Sequence, residues 1–314
     1  MSYTKGLVSV VIPTYKRSDM LKRAIDSVLG QTYNKVECIV VNDNTPGDEF
    51  SQILYKLIEK YKNDMRFHFL EQEVHKNGAA ARNVGIRAAR GEYIAFLDDD
   101  DFWDHKKLEI QISVIDNLSG EWGAVGCLMK YHKNNKVVAA NHPYKDGNVF
   151  YGVLTRSVGL GTGSLLIRRN ALDDTGYFDE NLRRFQDPQL FSCLTEKYKV
   201  KLIKCYLHNR DIDDAQNRPS IETINQLQDA FFISVSPLLN KLPKRKVKVL
   251  KTIYHFDKAK VYWREGEKTQ ALCFFLEVLK YPETVYFAFK RVLDNYVNHT
   301  FVNRRIKKYS KDNY

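Results

Sequence analysis

The 314-residue chain is 44% apolar and 12% aromatic, enough to bury a substantial core, which excludes disorder as its default state. Its formal charge of +11 is uneven: residues 1–237 carry 31 basic and 31 acidic side chains, whereas residues 238–314 carry 18 and 7. The whole excess lies in the last quarter and marks a distinct region there. The five cysteines, Cys38, Cys127, Cys193, Cys205 and Cys273, form no CxxC pair, which argues against a disulfide framework or a structural zinc site and for a reducing, cytoplasmic compartment.

The N-terminal apolar stretch is broken by Pro13 and is too short for a secretory signal, and no apolar run reaches the roughly 20 residues of a spanning helix. A soluble chain, or one attached to the inner face of a membrane, is expected. Along the first hundred residues, strands and helices alternate. "LVSVVI" (7–12), "VECIVV" (36–41), "RFHFLE" (66–71) and "EYIAFL" (92–97) read as short buried strands. Between them, residues 18–31, 49–61 and 78–90 carry helical periodicity. Strand and helix alternating with short connections predict an α/β fold with a parallel, doubly wound sheet.

Residues 122–132, 136–141 and 163–169 read as further strands, and 188–198 as a helix. After "NRPS" (217–220) the chain reads as helix almost to its end, with a hairpin over 257–283 turned at Gly266 and stopped by Pro282. The expected division is an α/β domain at 1–219 and a basic helical region at 220–314.

In open α/β sheets, ligands bind beyond the carboxyl ends of the strands. That rule selects "PTYKR" (13–17), "NDNTPGD" (42–48) and "DDDD" (98–101). Four consecutive aspartates repel one another unless water, a cation or a basic ligand compensates. They suit a hard cation carrying a diphosphate; the alternative is a solvated turn capping a helix that begins near Asp104. Asp43 can accept a hydrogen bond from a uracil imide or can simply form a turn. "KNGAAARNVG" (76–85) places Arg82 one turn into a helix, suited to a phosphate or to a packed, salt-bridged role. Asp187 can act as a general base on a hydroxyl or cap a helix with Pro188 in its first turn.

Together, "VSVVIPTYKR", "VECIVVNDNTPGD", "NGAAARNVGIRAARGEYIAFLDDDD", "GSLLIRRNALDDTGYFDENL" and "RFQD" resemble family 2 glycosyltransferases of the GT-A fold, in order and spacing, over about residues 7–210. The resemblance implies a Rossmann-like, mostly parallel sheet and an inverting, metal-dependent hexosyl- or N-acetylhexosaminyl-transferase using Mn2+ or Mg2+. Its donor would be a nucleotide-diphosphate sugar, most often a UDP-sugar. Its acceptor would be a saccharide or lipid-linked oligosaccharide in bacterial capsule, O-antigen or lipooligosaccharide synthesis.

By that resemblance Pro13, Thr14, Tyr15, Arg17, Asp43 and Arg82 contact the donor. Asp98 and Asp100 fill the DxD motif, with Asp100 as direct metal ligand and Asp99 as its variable middle position on the donor side. Asp101 and Gln186 face the acceptor, Asp187 is the base, and His208 lies where related enzymes sometimes supply a late metal or phosphate contact. The family typically has Asp at the position of Asn42 and Gly at that of Asn44.

Two other functions are weighed. A nucleotidyltransferase would carry a "GxGTR" loop where "PTYKR" stands. A nucleic-acid-binding module would use the basic tail, but it would not need Asp100 and Asp187, and no nucleic acid is expected. The basic stretches at 241–251 and 304–309 suit an anionic membrane surface or the solvated face of a helical cap.

Overall fold

The computed structural model describes residues 3–212, 219–300 and 302–309. Val8, Val10, Val11 and Ile12 are wholly buried on both faces of one strand, as a β-branched stretch should be at the centre of a covered sheet. The alternation expected from periodicity is present: β1 (Thr4–Thr14), α1 (Ser18–Leu29), β2 (Val36–Asn42), α2 (Glu49–Ile58), β3 (Phe67–Glu71), α3 (Gly78–Ala88) and β4 (Gly91–Phe96). Strand β1 pairs in parallel with β2 and with β4, and β3 extends the sheet beyond β2. The chain order thus reverses at β1, the switch point where open sheets form a crevice.

The second half is β5 (Phe102–Trp103), α4 (Lys107–Ile115), β6 (Trp122–Lys133), β7 (Lys136–Ala140), α5 (Phe150–Leu154), β8 (Leu165–Arg168), α6 (Arg169–Thr175), α7 (Gln186–Lys197) and β9 (Lys199–Asp211). The sheet order is β3-β2-β1-β4-β8-β6-β9-β5, with β7 on β6. Beyond β4 the sheet is mixed: β8 runs antiparallel to β4 and β6, whereas β9 is parallel to β6. This is the GT-A form of the expected α/β sheet.

The helix expected near Asp104 begins at Lys107. Strand β9 was not anticipated, because "HNRD" (208–211) reads as a polar loop. Residues Leu207, His208 and Asn209 are nevertheless buried, since β9 is flanked by β6 and β5.

The helical region is α8 (Ile221–Ser234), α9 (Ser236–Leu239), α10 (Lys244–Arg264), α11 (Lys268–Leu279), α12 (Pro282–Thr300) and α13 (Val302–Lys308). Gly266 turns the expected hairpin at φ 91°, the left-handed region that glycine enters without a steric cost. Pro282 follows the end of α11 and also opens α12, in the first turn, where its missing N–H is harmless. Phe231, Val235, Leu250 and Tyr254 of these helices share a core with Leu154 of α5.

Helix α3 lies so close to β1 that a Cβ on Gly85 would stand 2.3 Å from Val11 Cγ1. Gly85→Ala is therefore expected to destabilise the protein by about 1–3 kcal/mol through overpacking, measured by denaturant unfolding.

Candidate active site

Because β1 lies between β2 and β4, the segments that leave these three strands emerge side by side. They form one edge of a cleft of about 500 Å³, within the usual range for small-ligand sites. Pro13, Thr14, Tyr15 and Arg17 line it from β1, and Asp43 lines it from β2. Asp98, Asp99 and Asp100 come from beyond β4, and Gly78 and Arg82 from α3. The eight residues expected at the donor and the expected metal ligand Asp100 thus meet in one place. Arg210, Asp211 and Ile212, at and just beyond the end of β9, also line the cleft and were missed, because their strand was not legible.

Each of the four aspartates has its own partner. Arg82 pairs with Asp98 at 2.5 Å, the Thr14 hydroxyl donates to Asp99 at 2.8 Å, and Arg17 pairs with Asp100. Asp101, 1% exposed, meets His208 Nε2 at 2.9 Å and accepts the Asp211 N–H at 3.1 Å. His208 lies behind Asp101, in contact with Gly163, where a Cβ would stand 2.6 Å from its ring.

Burial would raise the pKa of Asp98, but Arg82 and Arg210 more than offset it and hold the group below its usual value. For the other three, repulsion adds to burial. Burial, then Asp100 and Asp98, push Asp99 up to about 7. Burial, then Asp101 and Asp98, push Asp100 up to about 6. Asp101 is raised well above the carboxylate range by burial and by Asp98. His208 is pushed down to about 3 by burial, Lys107 and Arg210, so its imidazole is neutral at pH 7.

Carboxylate oxygens of Asp98, Asp100 and Asp101 lie within 4.8 Å of one another. An all-oxygen set in which Asp98 is held ionised while Asp100 and Asp101 resist ionisation fits a hard divalent cation, which would relieve the repulsion.

At the β2 side, Asp43 is 2% exposed, accepts the Lys76 N–H at 3.1 Å and a bond from Gln72, and has His75 Nδ1 3.2 Å from its second oxygen. The His75 ring stacks on Tyr15 at 4.0 Å, so an aromatic wall adjoins this carboxylate. Asn42, where the family typically has Asp, donates to Glu71 at 3.1 Å and to Ser51 at 3.0 Å, and it accepts from the Asn44 side chain at 2.8 Å. A carboxylate at 42 would face Glu71. The departure from the family pattern is thus compensated locally and leaves Asp43 in the cleft.

Gln186 and Asp187 open α7. The capping position belongs to Phe185, in the left-handed region at φ 62°, which places Asp187 inside the first turn and overturns the capping alternative. Phe185 is held there by the rings of Phe231 at 5.4 Å and Tyr254 at 6.0 Å. Gln186 adjoins the cleft: its Oε1 would lie 3.7 Å from a Cβ on Gly78. Burial works against the charges of Arg82 and Arg210, and carboxylates including Asp98 and Asp187 more than restore them, so Asp187 acts electrostatically on both arginines.

Behind the carboxylates, Lys107 is fully buried. Its Nζ donates to Gln111 at 2.7 Å and lies 3.8 Å from the centre of the Trp103 ring. Burial lowers its pKa to about 8. Above pH 8 the folded state releases this proton, while the unfolded chain keeps it to about 10.4. Stability at this site therefore rises with pH across that window. Wild type is expected to gain about 2 kcal/mol over Lys107→Met between pH 8 and 10 in denaturant titrations.

A strand-end cleft lined by arginines and carboxylates, with a stacked aromatic pair beside it, is suited to a small polar ligand. The model of Glycosyl transferase family 2 matches residues 9–174, and the chain belongs to that family. It is 34% identical over 201 residues to the Escherichia coli protein WfgD, named UDP-Glc:alpha-D-GlcNAc-diphosphoundecaprenol beta-1,3-glucosyltransferase, covering 63% of this chain and 74% of WfgD. It is 32% identical over 193 residues to an uncharacterized glycosyltransferase of Rickettsia bellii, covering 60% of this chain but spanning only 26% of that longer protein. Among solved structures, Staphylococcus aureus TarS 1–349 in complex with UDP-GlcNAc superposes with a TM-score of 0.64 at 17% identity, covering 95% of this chain and 92% of that one.

Proposed function

We propose that the protein transfers a sugar from a UDP-sugar to a hydroxyl of a saccharide or lipid-linked acceptor in bacterial surface polysaccharide synthesis, with inversion at the anomeric carbon. The observation that carries this is the convergence of Asp43, Arg82 and the Asp98, Asp99 and Asp100 carboxylates on one cleft. The name of WfgD, with its UDP-sugar donor and lipid-diphosphate acceptor, and the UDP-GlcNAc bound to TarS support the same choice.

In this reading Tyr15 and His75 stack beside the uracil and Asp43 accepts its imide N–H, for which its second oxygen is suited. Arg82 leaves Asp98 in part to meet the donor diphosphate. Its Nε is buried with no hydrogen-bond partner among the described residues, a donor left over for an anionic group. Bound by Asp98, Asp100 and Asp101, a Mn2+ or Mg2+ ion would neutralise charge on the diphosphate. His208 positions Asp101 from behind instead of serving as a ligand itself.

Asp187 accepts the proton of the acceptor hydroxyl as its oxygen bonds to the anomeric carbon. The bond from that carbon to the diphosphate oxygen breaks on the opposite face, and Arg82 and Arg210 stabilise the charge that develops there. Gln186 stands on the acceptor side. The catalytic unit is assigned to residues 1–219 and the helical region to 220–314, the latter bracing Phe185 and hence the turn that carries Asp187.

Calorimetry with UDP and Mn2+, combined with transfer assays, tests these roles. Asp187→Asn is expected to lower transfer by about 10³-fold or more while UDP affinity stays within about twofold. Asp100→Ala is expected to abolish the metal dependence of UDP binding. Unchanged transfer by Asp187→Asn would remove the residue from the role of base, and failure of wild type to bind any UDP compound would overturn the donor assignment.

A further inference from the structure

The turn after β1 is built to place one side chain. Lys16 stands in the left-handed region at φ 56°, which a lysine enters only at a cost, and its N–H donates to Asn44 Oδ1 at 2.9 Å. Asn44 is fixed in turn by Asn42, whose Oδ1 accepts the Asn44 N–H at 3.0 Å and the Asn44 side-chain amide at 2.8 Å. The family typically has Gly at position 44, a residue with no side chain to hold this turn. The next residue, Arg17, pairs with Asp100, and both line the cleft. The Arg17 side chain is 47% exposed, against 11% for Arg82 on Asp98. Of the two ion pairs in the acidic turn, the one on Asp100 is therefore the more screened by water, and a competing cation displaces it at less cost.

We infer that Arg17 exchanges partners when the site is loaded: its guanidinium neutralises Asp100 in the protein alone, yields that carboxylate to a divalent cation, and passes to the donor diphosphate. Asp100 offers an oxygen within 4.8 Å of oxygens of Asp98 and Asp101, so a guanidinium on Asp100 competes with a hard cation for the same charge. The released guanidinium is a planar fork of N–H donors that matches phosphate oxygens. It already lines the cleft together with Arg82 and Arg210. The inference deepens the glycosyl-transfer proposal and rests on its placing of a divalent cation at Asp98, Asp100 and Asp101 and of a diphosphate in this cleft.

Lys16 separates direct pairing from the general field of a nearby charge. It carries the same charge one residue away, but its Nζ lies over the rings of Tyr15 and Phe50, 5.1 Å from the centre of each. If the field alone governed cation affinity, the two side chains would act alike; if the ion pair governs it, Arg17 acts and Lys16 does not.

Two titrations of the full chain test the exchange: Mn2+ alone, followed by electron paramagnetic resonance of the free ion, and UDP at saturating Mn2+, followed by calorimetry. Arg17→Gln is expected to bind Mn2+ alone about fivefold tighter than wild type, because its competitor is gone. The same variant is expected to bind UDP about tenfold more weakly, because the guanidinium is missing from the diphosphate. Its circular dichroism spectrum is expected to be unchanged, since the side chain is half exposed. Lys16→Gln is expected to bind Mn2+ within about twofold of wild type. Arg17→Gln binding Mn2+ no tighter than wild type, or Lys16→Gln tightening it equally, would overturn the exchange and leave the donor and cation assignments standing. So would undiminished UDP binding by Arg17→Gln, because the guanidinium would then have no second partner. Wild type that binds UDP but no Mn2+ would overturn the cation assignment and this inference with it.

Discussion

Four carboxylates held together at the end of β4 are the constraint around which the site is arranged. At 4 Å, two unit charges repel by about 1 kcal/mol in water and about 4 kcal/mol near a protein surface, and these groups are largely removed from water. The fold answers with one partner for each: Arg82 from α3, Thr14 from β1, Arg17 from the segment after β1, and His208 from β9. These partners come from across the chain. The acidic turn is tolerable only once the sheet is assembled, and its residual strain appears in the raised pKa values of Asp99, Asp100 and Asp101. Burial first, and mutual repulsion after it, hold these three groups against ionisation, an arrangement suited to a hard cation.

The second organising feature is the bracing of α7 by the C-terminal helices. A phenylalanine at positive φ is costly, on the order of 1 kcal/mol or more, and persists only where the surroundings impose it. Here Phe231 of α8 and Tyr254 of α10 enclose the Phe185 ring, and Arg156, itself at φ 56° and paired with Asp257 of α10 at 2.7 Å, lies over it at 5.9 Å. The helical region therefore reaches into the α/β half and braces the turn at which Gln186 and Asp187 begin their helix.

Much of the first half was legible because its signals are local. Stretches rich in β-branched residues, helical periodicity and polar segments at strand ends report β1 to β4 and the three segments that line the cleft. The second half was less so. Strand β9 ends in "HNRD", whose His208 and Asn209 are buried only because strands flank them on both sides, and Arg210 was missed with it. Lys107 looks like part of a solvated "HKK", yet it is fully buried against Trp103 and Gln111. Asn42 looks like a loss of a family carboxylate until Glu71 is seen to occupy the facing position.

From sequence alone come the family, the α/β class, the strand-end placement of Asp43 and Asp98–Asp101, and the concentration of positive charge after residue 237. Each of these depends on residue type, local period or motif order, which survive without knowledge of distant neighbours. Tertiary structure alone decided which carboxylates form the trio, that Asp101 is buried against His208, that Phe185 and not Asp187 precedes α7, and that Arg17 pairs with Asp100. Those outcomes depend on which segments meet across intervals of about a hundred residues, and the energies of burial and charge that select them exist only once the segments have met.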